Sequence, residues 1–255
     1  MLEALIFDVD GTLADTERNG HRVAFNQAFA AAGLAIVWDE MLYGQLLSVG
    51  GGRERLTYFF TDIRPDLRPA GDLDALVRAL HARKTEIYGH LLTTGGVPLR
   101  PGVRRLLREA RDQGLILAIA TTTTADNLLP IWEALGPGAQ TWFSAIGAGD
   151  CVPNKKPAPD VYEYVLAELG LTPSQCLAFE DSENGCRAAR AAGLPTVVTV
   201  TDYTRMDRFD GALLVVDHLG EPGRPLARLG GVPFEGRILD LQALRDLASL
   251  GTPDQ

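Results

Sequence analysis

Two aspartates, Asp8 and Asp10, follow the first apolar run of the chain and come directly before Gly11. If Gly11 lets the chain turn, both carboxylates can face one cavity, where one could act as a nucleophile and the other could donate a proton to a leaving oxygen. Two negative charges this close also require a cation. An Asp-Gly hairpin turn is the structural alternative. A calcium-binding loop is excluded, because Thr12 and Leu13 occupy positions where it needs Asp or Asn and then Gly.

A second acidic pair, Glu180 and Asp181, ends a later apolar run and precedes Ser182. Capping of the following helix by Asp181 or Ser182 would explain these residues without any chemistry. Together with Asp8 and a backbone carbonyl, however, they offer the hard oxygen ligands that suit octahedral Mg²⁺ with water and phosphate. The sequence therefore predicts a Mg²⁺ site built from two strand ends.

Two further segments offer groups that could bind a phosphate, namely a run of threonine hydroxyls and a lysine ammonium. Four consecutive threonines occupy residues 121–124 before a predicted helix start, and hydroxyls and free amides at such a point bind anions, so Thr121 and Thr122 are candidates to hold phosphoryl oxygens. A threonine-rich loop is the alternative. Lys156 stands before a proline and a helix start, where it could hold a cation against a carboxylate and a phosphate, although exposed lysines usually only interact with solvent. Lys155 is the weaker candidate.

Five short apolar runs, separated by helix-like stretches, must position these groups. The runs are residues 5–7, 115–120, 142–146, 176–179 and 196–200. Alternating strands and helices predict an α/β fold with a parallel sheet covered by helices on both faces. Ligands of such sheets bind beyond the carboxyl ends of the strands, so we expect the chemistry there.

A long stretch between the first two runs contains no convincing strand. It has amphipathic helical patterns over residues 22–32 and 73–91, which predict a helical insert with boundaries near Thr16 and Thr93. The polar, glycine-rich residues 93–96 are expected to form a hinge. Residues 219–236 are rich in Gly and Pro and are predicted to be irregular, and a final helix is predicted over residues 240–250.

Charge and composition restrict the partners. The chain of 255 residues has a net charge of −9, a pI near 5.0 and no large Lys/Arg cluster, which argues against nucleic acid. The three cysteines are odd in number and lack zinc-like spacing, which fits a reducing cytoplasm. The apolar run before Asp8 is too short for a signal peptide or a membrane span. We therefore expect a cytoplasmic protein without a membrane partner, and we expect a monomer.

Four motifs, in matching order and spacing, resemble those of the haloacid dehalogenase superfamily. They are the DxDGT run at residues 8–12, Thr121 at a strand end, Lys156 before Pro-Ala-Pro-Asp, and Glu180-Asp181. The resemblance implies a Rossmann-like α/β core formed by residues 1–15 and 93–255. It also implies an α-helical cap domain, residues 16–92, inserted after the first strand.

The same resemblance implies roles for these residues. Asp8 would attack phosphorus to form an aspartyl-phosphate, and Asp10 would protonate the leaving group and then activate water. Thr121 and Lys156 would bind the phosphoryl group. Mg²⁺ would be held by Asp8, the backbone carbonyl of Asp10, Asp181 and, directly or through water, Glu180. Dehalogenases lack the second aspartate, and phosphonate-cleaving members have a small residue there, so Asp10 argues against both branches.

Further segments resemble the CbbY family within the β-phosphoglucomutase-like branch. They are Thr16-Glu17, Tyr43, and residues 51–55, 81–85, 99–103 and 121–124. The implied activity is dephosphorylation of xylulose-1,5-bisphosphate to xylulose-5-phosphate, so the partner would be a small phosphorylated sugar. The substrate-binding residues implied in this way are Glu17, Tyr43, Gly51, Gly52, Arg53, Lys84 and Thr122.

A bisphosphate needs a second anion site far from the metal, and Arg53 and Lys84 are the candidates. Lys84 falls on the stripe of residues 73, 77, 80, 87 and 91, where an apolar side chain is expected. A stem that snorkels to the surface is the alternative. Glu17 could hold a sugar hydroxyl or be an ordinary acidic residue in the first turn of a helix.

Two other functions use the same residues. A mutase of the β-phosphoglucomutase type would return the phosphoryl group from Asp8 to a sugar instead of to water. A non-catalytic module that binds phosphorylated ligands is the alternative from another class, and it is disfavoured because the residues of all four motifs are intact.

Overall fold

A computed structural model describes residues 1–95, 98–149 and 151–250 of the protein. Its strands form one sheet. They are β1 (Ala4–Phe7), β2 (Ile116–Thr121), β3 (Phe143–Ala148), β4 (Cys176–Glu180), β5 (Thr196–Thr199), β6 (Leu214–Val216) and β7 (Arg228–Gly231). Their order in the sheet is β3-β2-β1-β4-β5-β6-β7. Neighbouring strands are parallel except β6 and β7. The predicted α/β fold class is confirmed, and the five predicted runs correspond to β1 to β5.

The helices of the described chain connect these strands. They are α1 (Arg22–Ala31), α2 (Glu40–Leu46), α3 (Gly52–Tyr58), α4 (Leu73–Gly95), α5 (Val103–Asp112), α6 (Leu129–Leu135), α7 (Asp160–Leu169), α8 (Glu183–Ala191) and α9 (Leu241–Ser249). A π-helical turn, Glu17–His21, runs directly into α1, and a second, Phe59–Ile63, follows α3. Short 3-10 turns are Pro65–Leu67, Ala125–Leu128, Ala139–Trp142 and Pro173–Gln175.

The central strand β1 is buried on both faces, and its alternating side chains belong to two different hydrophobic clusters. In β1, Leu5 and Phe7 join a cluster with apolar residues of α5, α6 and α9, whereas Ala4 and Ile6 join another with residues of α7 and α8. All four side chains are at most 1% exposed. Helices therefore cover both faces of β1, and the carboxyl end of this strand opens to the main cleft.

The helices between β1 and β2 pack around a hydrophobic cluster of their own. Its centre is Trp38, whose ring lies 4.7 Å from that of Phe25 and 4.9 Å from that of Phe29. Helices α1 and α4 confirm the two predicted amphipathic helices. Helix α4 continues through Gly95, so most of the predicted hinge at residues 93–96 is helical, while Gly96 lies outside the described residues.

The chain enters and leaves this helical segment along two adjacent, antiparallel stretches. Ala14 forms a β-bridge with Leu99, Asp15 N donates to Pro98 O at 3.2 Å, and Arg100 N donates to Leu13 O at 2.9 Å. The two crossings are therefore hydrogen-bonded to each other directly beside the end of β1.

The prediction that residues 219–236 are irregular is wrong in part. They contain β7, an edge strand antiparallel to β6. Its sequence, Arg-Leu-Gly-Gly, lacks β-branched residues, and three of its four residues are exposed, so no alternation was visible. The final predicted helix is confirmed as α9, with Asp240 as its N-cap. Within the described chain, no helix has the length and apolar character that crossing a membrane requires.

Candidate active site

The turn after β1 brings Asp8 and Asp10 to one cleft. Gly11 adopts φ +88°, which other residues rarely reach, and the carbonyl of Val9 accepts hydrogen bonds from the next turn. Both aspartates line the same cleft, which encloses about 740 Å³ including its open mouth. The hairpin alternative does not hold, because β2 pairs with β1 in parallel.

Lys156 contacts the first aspartate directly. Its Nζ donates to Asp8 Oδ1 at 2.8 Å, to Ala120 O at 2.8 Å and to Glu180 Oε1 at 2.5 Å. The side chain is 7% exposed, so it is not a solvated surface lysine. Burial disfavours the ammonium, but the carboxylates of Asp8 and Glu180 raise the pKa of Lys156 above its ordinary value. The cation is therefore fixed against the proposed nucleophile.

Three buried carboxylates form a candidate metal centre. Ligand oxygens of Asp8, Glu180 and Asp181 lie within 4.8 Å of one another. Burial, reinforced by mutual repulsion, raises the pKa of Asp8, against the opposing effect of Lys156, and also raises that of Asp181. Glu180 Oε2 is buried and has no hydrogen-bond partner among the described residues. The three carboxylates carry more negative charge than Lys156 can neutralise. Their hard oxygen donors therefore fit a divalent cation.

Small residues allow this cluster to form. A Cβ atom on Gly11 would lie 2.1 Å from Asp181 Oδ2, so only glycine lets the turn approach that carboxylate. Ser182, not Asp181, caps α8 by accepting a hydrogen bond from Gly185 N at 3.2 Å. The capping explanation thus applies to the neighbouring residue and leaves Asp181 on the cleft.

Tyr162 belongs to the same cluster and was not predicted. Its hydroxyl donates to Glu180 Oε1, which also accepts from Lys156. The residue lies on the buried face of α7, where its aromatic ring looks like an ordinary core side chain. In the sequence, only the hydroxyl of this tyrosine on an otherwise apolar helix face could have indicated a buried hydrogen-bond partner.

Thr121 and Thr122 line the main cleft, as expected. Thr121 is 1% exposed, and its Oγ1 accepts a hydrogen bond from Thr123 N at 3.2 Å. The predicted helix at Ala125 is a short 3-10 turn, Ala125–Leu128, and α6 begins only at Leu129. The threonines that line the cleft therefore precede a short turn and not a long helix.

A chain of hydrogen bonds holds Asp10. Thr16 Oγ1 donates to Asp10 Oδ1 at 2.5 Å, and His21 Nε2 lies 3.0 Å from the same oxygen. Lys84 Nζ lies 2.6 Å from His21 Nδ1. Because an ammonium can only donate, Nδ1 accepts and Nε2 carries the proton that is donated to Asp10. Burial alone would raise the pKa of Asp10, but the hydrogen bonds from His21 and Thr16 and the nearby charge of Lys84 lower it below its ordinary value.

Lys84 lies beside this chain of hydrogen bonds and also lines a second cleft, so its contact with a substrate phosphate stays a prediction. It is 3% exposed, with its Nζ 5.2 Å from the ring centre of Phe25 and 4.6 Å from that of Tyr88. The snorkelling alternative is therefore wrong. The unusual lysine on an apolar stripe was visible in the sequence, but its partner His21, 63 residues away, was not.

Glu17 has partners inside the helical segment. The hydroxyl of Tyr43 donates to Glu17 Oε2, and Arg55 Nη1 donates to that hydroxyl at 2.9 Å. Glu17 lines the main cleft, whereas Tyr43 is fully buried and lies behind it. Direct contact of Tyr43 with a substrate stays a prediction, and the structure places this side chain where it orients Glu17.

A second cleft of about 540 Å³ adjoins the first, and Asp10, Glu17 and Lys84 line it. Its other lining residues include Gly51, Gly52, Arg53, His81, Lys155 and Asn127. Contacts near the two clefts join the helical segment to the core. Lys155 Nζ lies 2.9 Å from Glu54 Oε1, and Asn184 Nδ2 donates to Ser48 O at 2.9 Å. The helical segment therefore closes over the strand ends.

Comparisons with known proteins agree with this geometry. A family model described as haloacid dehalogenase-like hydrolase matches residues 2–193. The plasmid-encoded protein CbbY of Cupriavidus necator is 51% identical over 246 residues, which cover 96% of each chain. Protein CbbY of Rhodobacter capsulatus is 48% identical over 83% of this chain and 91% of its own.

Two solved structures of CbbY from Rhodobacter sphaeroides also match. One is a mutant in complex with xylulose-1,5-bisphosphate, with a TM-score of 0.79, and the other is a complex with phosphate, with a TM-score of 0.78. Each is 43% identical and covers 86% of this chain and 95% of its own. Because these matches extend over the core, the helical segment and the site between them, the chain belongs to the haloacid dehalogenase-like hydrolase family.

Proposed function

We propose that this protein is a Mg²⁺-dependent phosphatase that converts xylulose-1,5-bisphosphate to xylulose-5-phosphate. The observation that carries the proposal is the buried contact of 2.8 Å between Lys156 Nζ and Asp8 Oδ1 within an acidic cluster, with Asp10 held on the adjoining turn. At one cleft, Asp8 provides a nucleophile, Lys156 a fixed cation and Asp10 an acid/base group. The substrate is proposed because CbbY of Rhodobacter sphaeroides, 43% identical, has been solved with this bisphosphate.

The chain's own side chains account for both half-reactions. A carboxylate oxygen of Asp8 attacks phosphorus while the bond to the sugar oxygen breaks, and Asp10 donates a proton to that oxygen. Water then attacks the aspartyl-phosphate, Asp10 takes its proton, and the bond between phosphorus and Asp8 breaks to release phosphate. Lys156 and Thr121 hold the phosphoryl oxygens throughout.

Asp10 has to change its protonation state during this cycle. The lowered pKa of Asp10 keeps it ionised in the free protein, which is the form that accepts a proton from water. The proton that it passes to the leaving oxygen must therefore be taken up as the substrate binds.

The acidic cluster supports Mg²⁺ as the cofactor. We propose that Asp8, Asp181, the backbone carbonyl of Asp10 and, directly or through water, Glu180 hold this ion. When bound, it would neutralise charge on the phosphoryl group.

The second cleft supports recognition of the rest of the substrate. We propose that Arg53 binds the distal phosphate, that Glu17 accepts a hydrogen bond from a sugar hydroxyl, and that the turn at Gly51 and Gly52 lets the backbone approach the ligand. Gly51 adopts φ +94°, and a Cβ on Gly52 would lie 2.8 Å from the ring of His81. Larger residues at either position would fill the cleft.

We also propose the molecular organisation. Residues 1–15 and 93–255 form the core domain and residues 16–92 form the cap domain, because the cap has its own hydrophobic cluster. The protein acts as a monomer in the cytoplasm. Light scattering after size exclusion tests the monomer and should give the chain mass of 27.5 kDa.

A substrate panel tests the function. Purified protein with Mg²⁺ is assayed for phosphate release from xylulose-1,5-bisphosphate, from other sugar bisphosphates and from sugar monophosphates. We expect the highest kcat/KM for xylulose-1,5-bisphosphate. Conversion of glucose-1-phosphate to glucose-6-phosphate without free phosphate would instead identify a mutase. Absence of turnover on every phosphate ester would identify a binding module.

A further inference from the structure

Arg100 binds four backbone carbonyls from three separate parts of the core. Its Nη1 donates to Gly11 O and, at 2.6 Å, to Thr199 O, while Nη2 donates to Val200 O at 2.7 Å and to Asp217 O at 2.6 Å. These acceptors belong to the turn after β1, the end of β5 and the residue after β6. One guanidinium therefore ties the turn that carries Asp10 to the ends of two strands.

This cation is used for backbone positioning and not for an ion pair. Among the described residues, no carboxylate lies within 4.0 Å of the Arg100 guanidinium, and its contacts are carbonyl and hydroxyl oxygens. A planar guanidinium presents several donors in a rigid arrangement, which a lysine ammonium cannot reproduce. Arginine is therefore suited to hold several carbonyls at fixed separations.

The hydrogen bond from Arg100 to the carbonyl of Gly11 fixes a turn that is packed tightly on its other side. On its other side, Gly11 contacts the Asp181 carboxylate so closely that a Cβ would lie 2.1 Å from Oδ2. The backbone of Arg100 holds the same turn, because Arg100 N donates to Leu13 O at 2.9 Å. The distance between Asp10 and Asp181 therefore depends on where Arg100 fixes the turn.

Arg100 also lies where the chain returns from the cap. Leu99, the preceding residue, forms the β-bridge to Ala14 that joins the two crossings. Movement of the cap would act on the core at this bridge. The guanidinium anchors the core side of the bridge to β5 and β6, so cap motion need not displace the catalytic turn.

We infer that Arg100 is a positioning residue that fixes the distance between Asp10 and the metal-binding carboxylates. It also keeps this distance constant when the cap moves. The inference rests on the proposed phosphatase function and extends it to a residue outside the cleft chemistry. It predicts that loss of the guanidinium impairs the chemical step and metal binding more than substrate binding.

The test compares Arg100→Met and Arg100→Lys with the matched control Arg105→Met. Arg105 also donates to three backbone carbonyls, those of Leu219, Gly220 and Leu239, at 3.0–3.1 Å, but it lies away from both clefts. Each variant is measured for kcat, KM, the Mg²⁺ concentration at half-maximal rate, Mg²⁺ binding by calorimetry, and thermal unfolding.

We expect Arg100→Met to lower kcat and raise the half-maximal Mg²⁺ concentration by about 10- to 100-fold, with KM changed by less than about 3-fold. Arg100→Lys should lie between this variant and the wild type, and Arg105→Met should change only the unfolding temperature. Wild-type kcat and Mg²⁺ binding in Arg100→Met would overturn the inference. If that variant does not fold, wild-type values in Arg100→Lys would overturn it equally.

Failure of the proposed function gives a different result. If the wild type releases no phosphate from any ester, the phosphatase proposal fails, and calorimetry alone then decides the role of Arg100. Mg²⁺ binding at least about 10-fold weaker in Arg100→Met than in Arg105→Met supports the inference, and equal binding overturns it.

Discussion

Replacing Lys84 by methionine should make the protein more stable and less active. Burial lowers the pKa of Lys84 from 10.5 to about 8. One pKa unit corresponds to about 1.4 kcal/mol, so keeping this ammonium charged at pH 7 costs the folded state about 3 kcal/mol. Methionine has a similar length and can fill the space between Phe25 and Tyr88. Loss of the ammonium's contacts offsets part of the gain, so we expect about 1–3 kcal/mol.

The gain in stability should depend on pH. The folded pKa lies below that of the unfolded chain, so the charging penalty is fully present below pH 8 and disappears as pH rises to 10.5. The difference in unfolding free energy between Lys84→Met and the wild type should therefore shrink over this interval. Activity should move in the opposite direction, with kcat lowered about 10- to 100-fold, because His21 no longer orients Asp10 for acid–base catalysis.

Urea unfolding at pH 7 and pH 10, together with phosphate release, tests both effects. Lys155→Met is the matched control, because Lys155 forms a partly exposed ion pair with Glu54 and should change stability by less than about 1 kcal/mol. A Lys84→Met protein that is less stable than the wild type at pH 7 would refute the reasoning. So would a difference in stability that stays constant between pH 7 and pH 10.

Three further substitutions probe the site. Asp8→Asn should lower phosphate release by about 10⁴-fold or more, and retained activity would exclude Asp8 as the nucleophile. Gly11→Ala places a methyl group 2.1 Å from Asp181 Oδ2 at φ +88°. It should lose about 1–3 kcal/mol in urea unfolding, together with most activity. Tyr162→Phe removes the hydroxyl that binds Glu180 and should weaken Mg²⁺ binding about 10-fold by calorimetry. Unchanged binding would show that Tyr162 only fills the core.

Much of the fold was predictable because the strands β1, β2, β4 and β5 are almost entirely buried. Runs such as residues 116–121 are almost entirely apolar, and polar residues follow the runs that end in β1, β2 and β4. β7 was missed because an exposed edge strand of Arg-Leu-Gly-Gly has neither an apolar run nor alternation. Its strand conformation comes from pairing with β6, which local sequence does not encode.

The residues of the site also fall into those that the sequence predicts and those that only distant contacts reveal. Asp8 and Asp10 were predictable because they lie two positions apart at the end of a strand and directly before the turn at Gly11. His21, Tyr162 and Arg100 act through contacts with residues 11, 18 and 89 positions away in the chain, and their surroundings in sequence resemble ordinary helix or loop. The position of Lys84 on an apolar stripe was visible, but only the packed structure shows that it supports Asp10.

The adjacent crossings at Ala14 and Leu99 have a consequence for how enzymes of this architecture can diversify. Both ends of the helical segment are fixed at a separation that the core alone determines. A segment of different length or shape could join at the same two points without altering the register of the sheet. The machinery for breaking the phosphate ester and the surface that selects the ester could thus evolve, or be engineered, as separate parts.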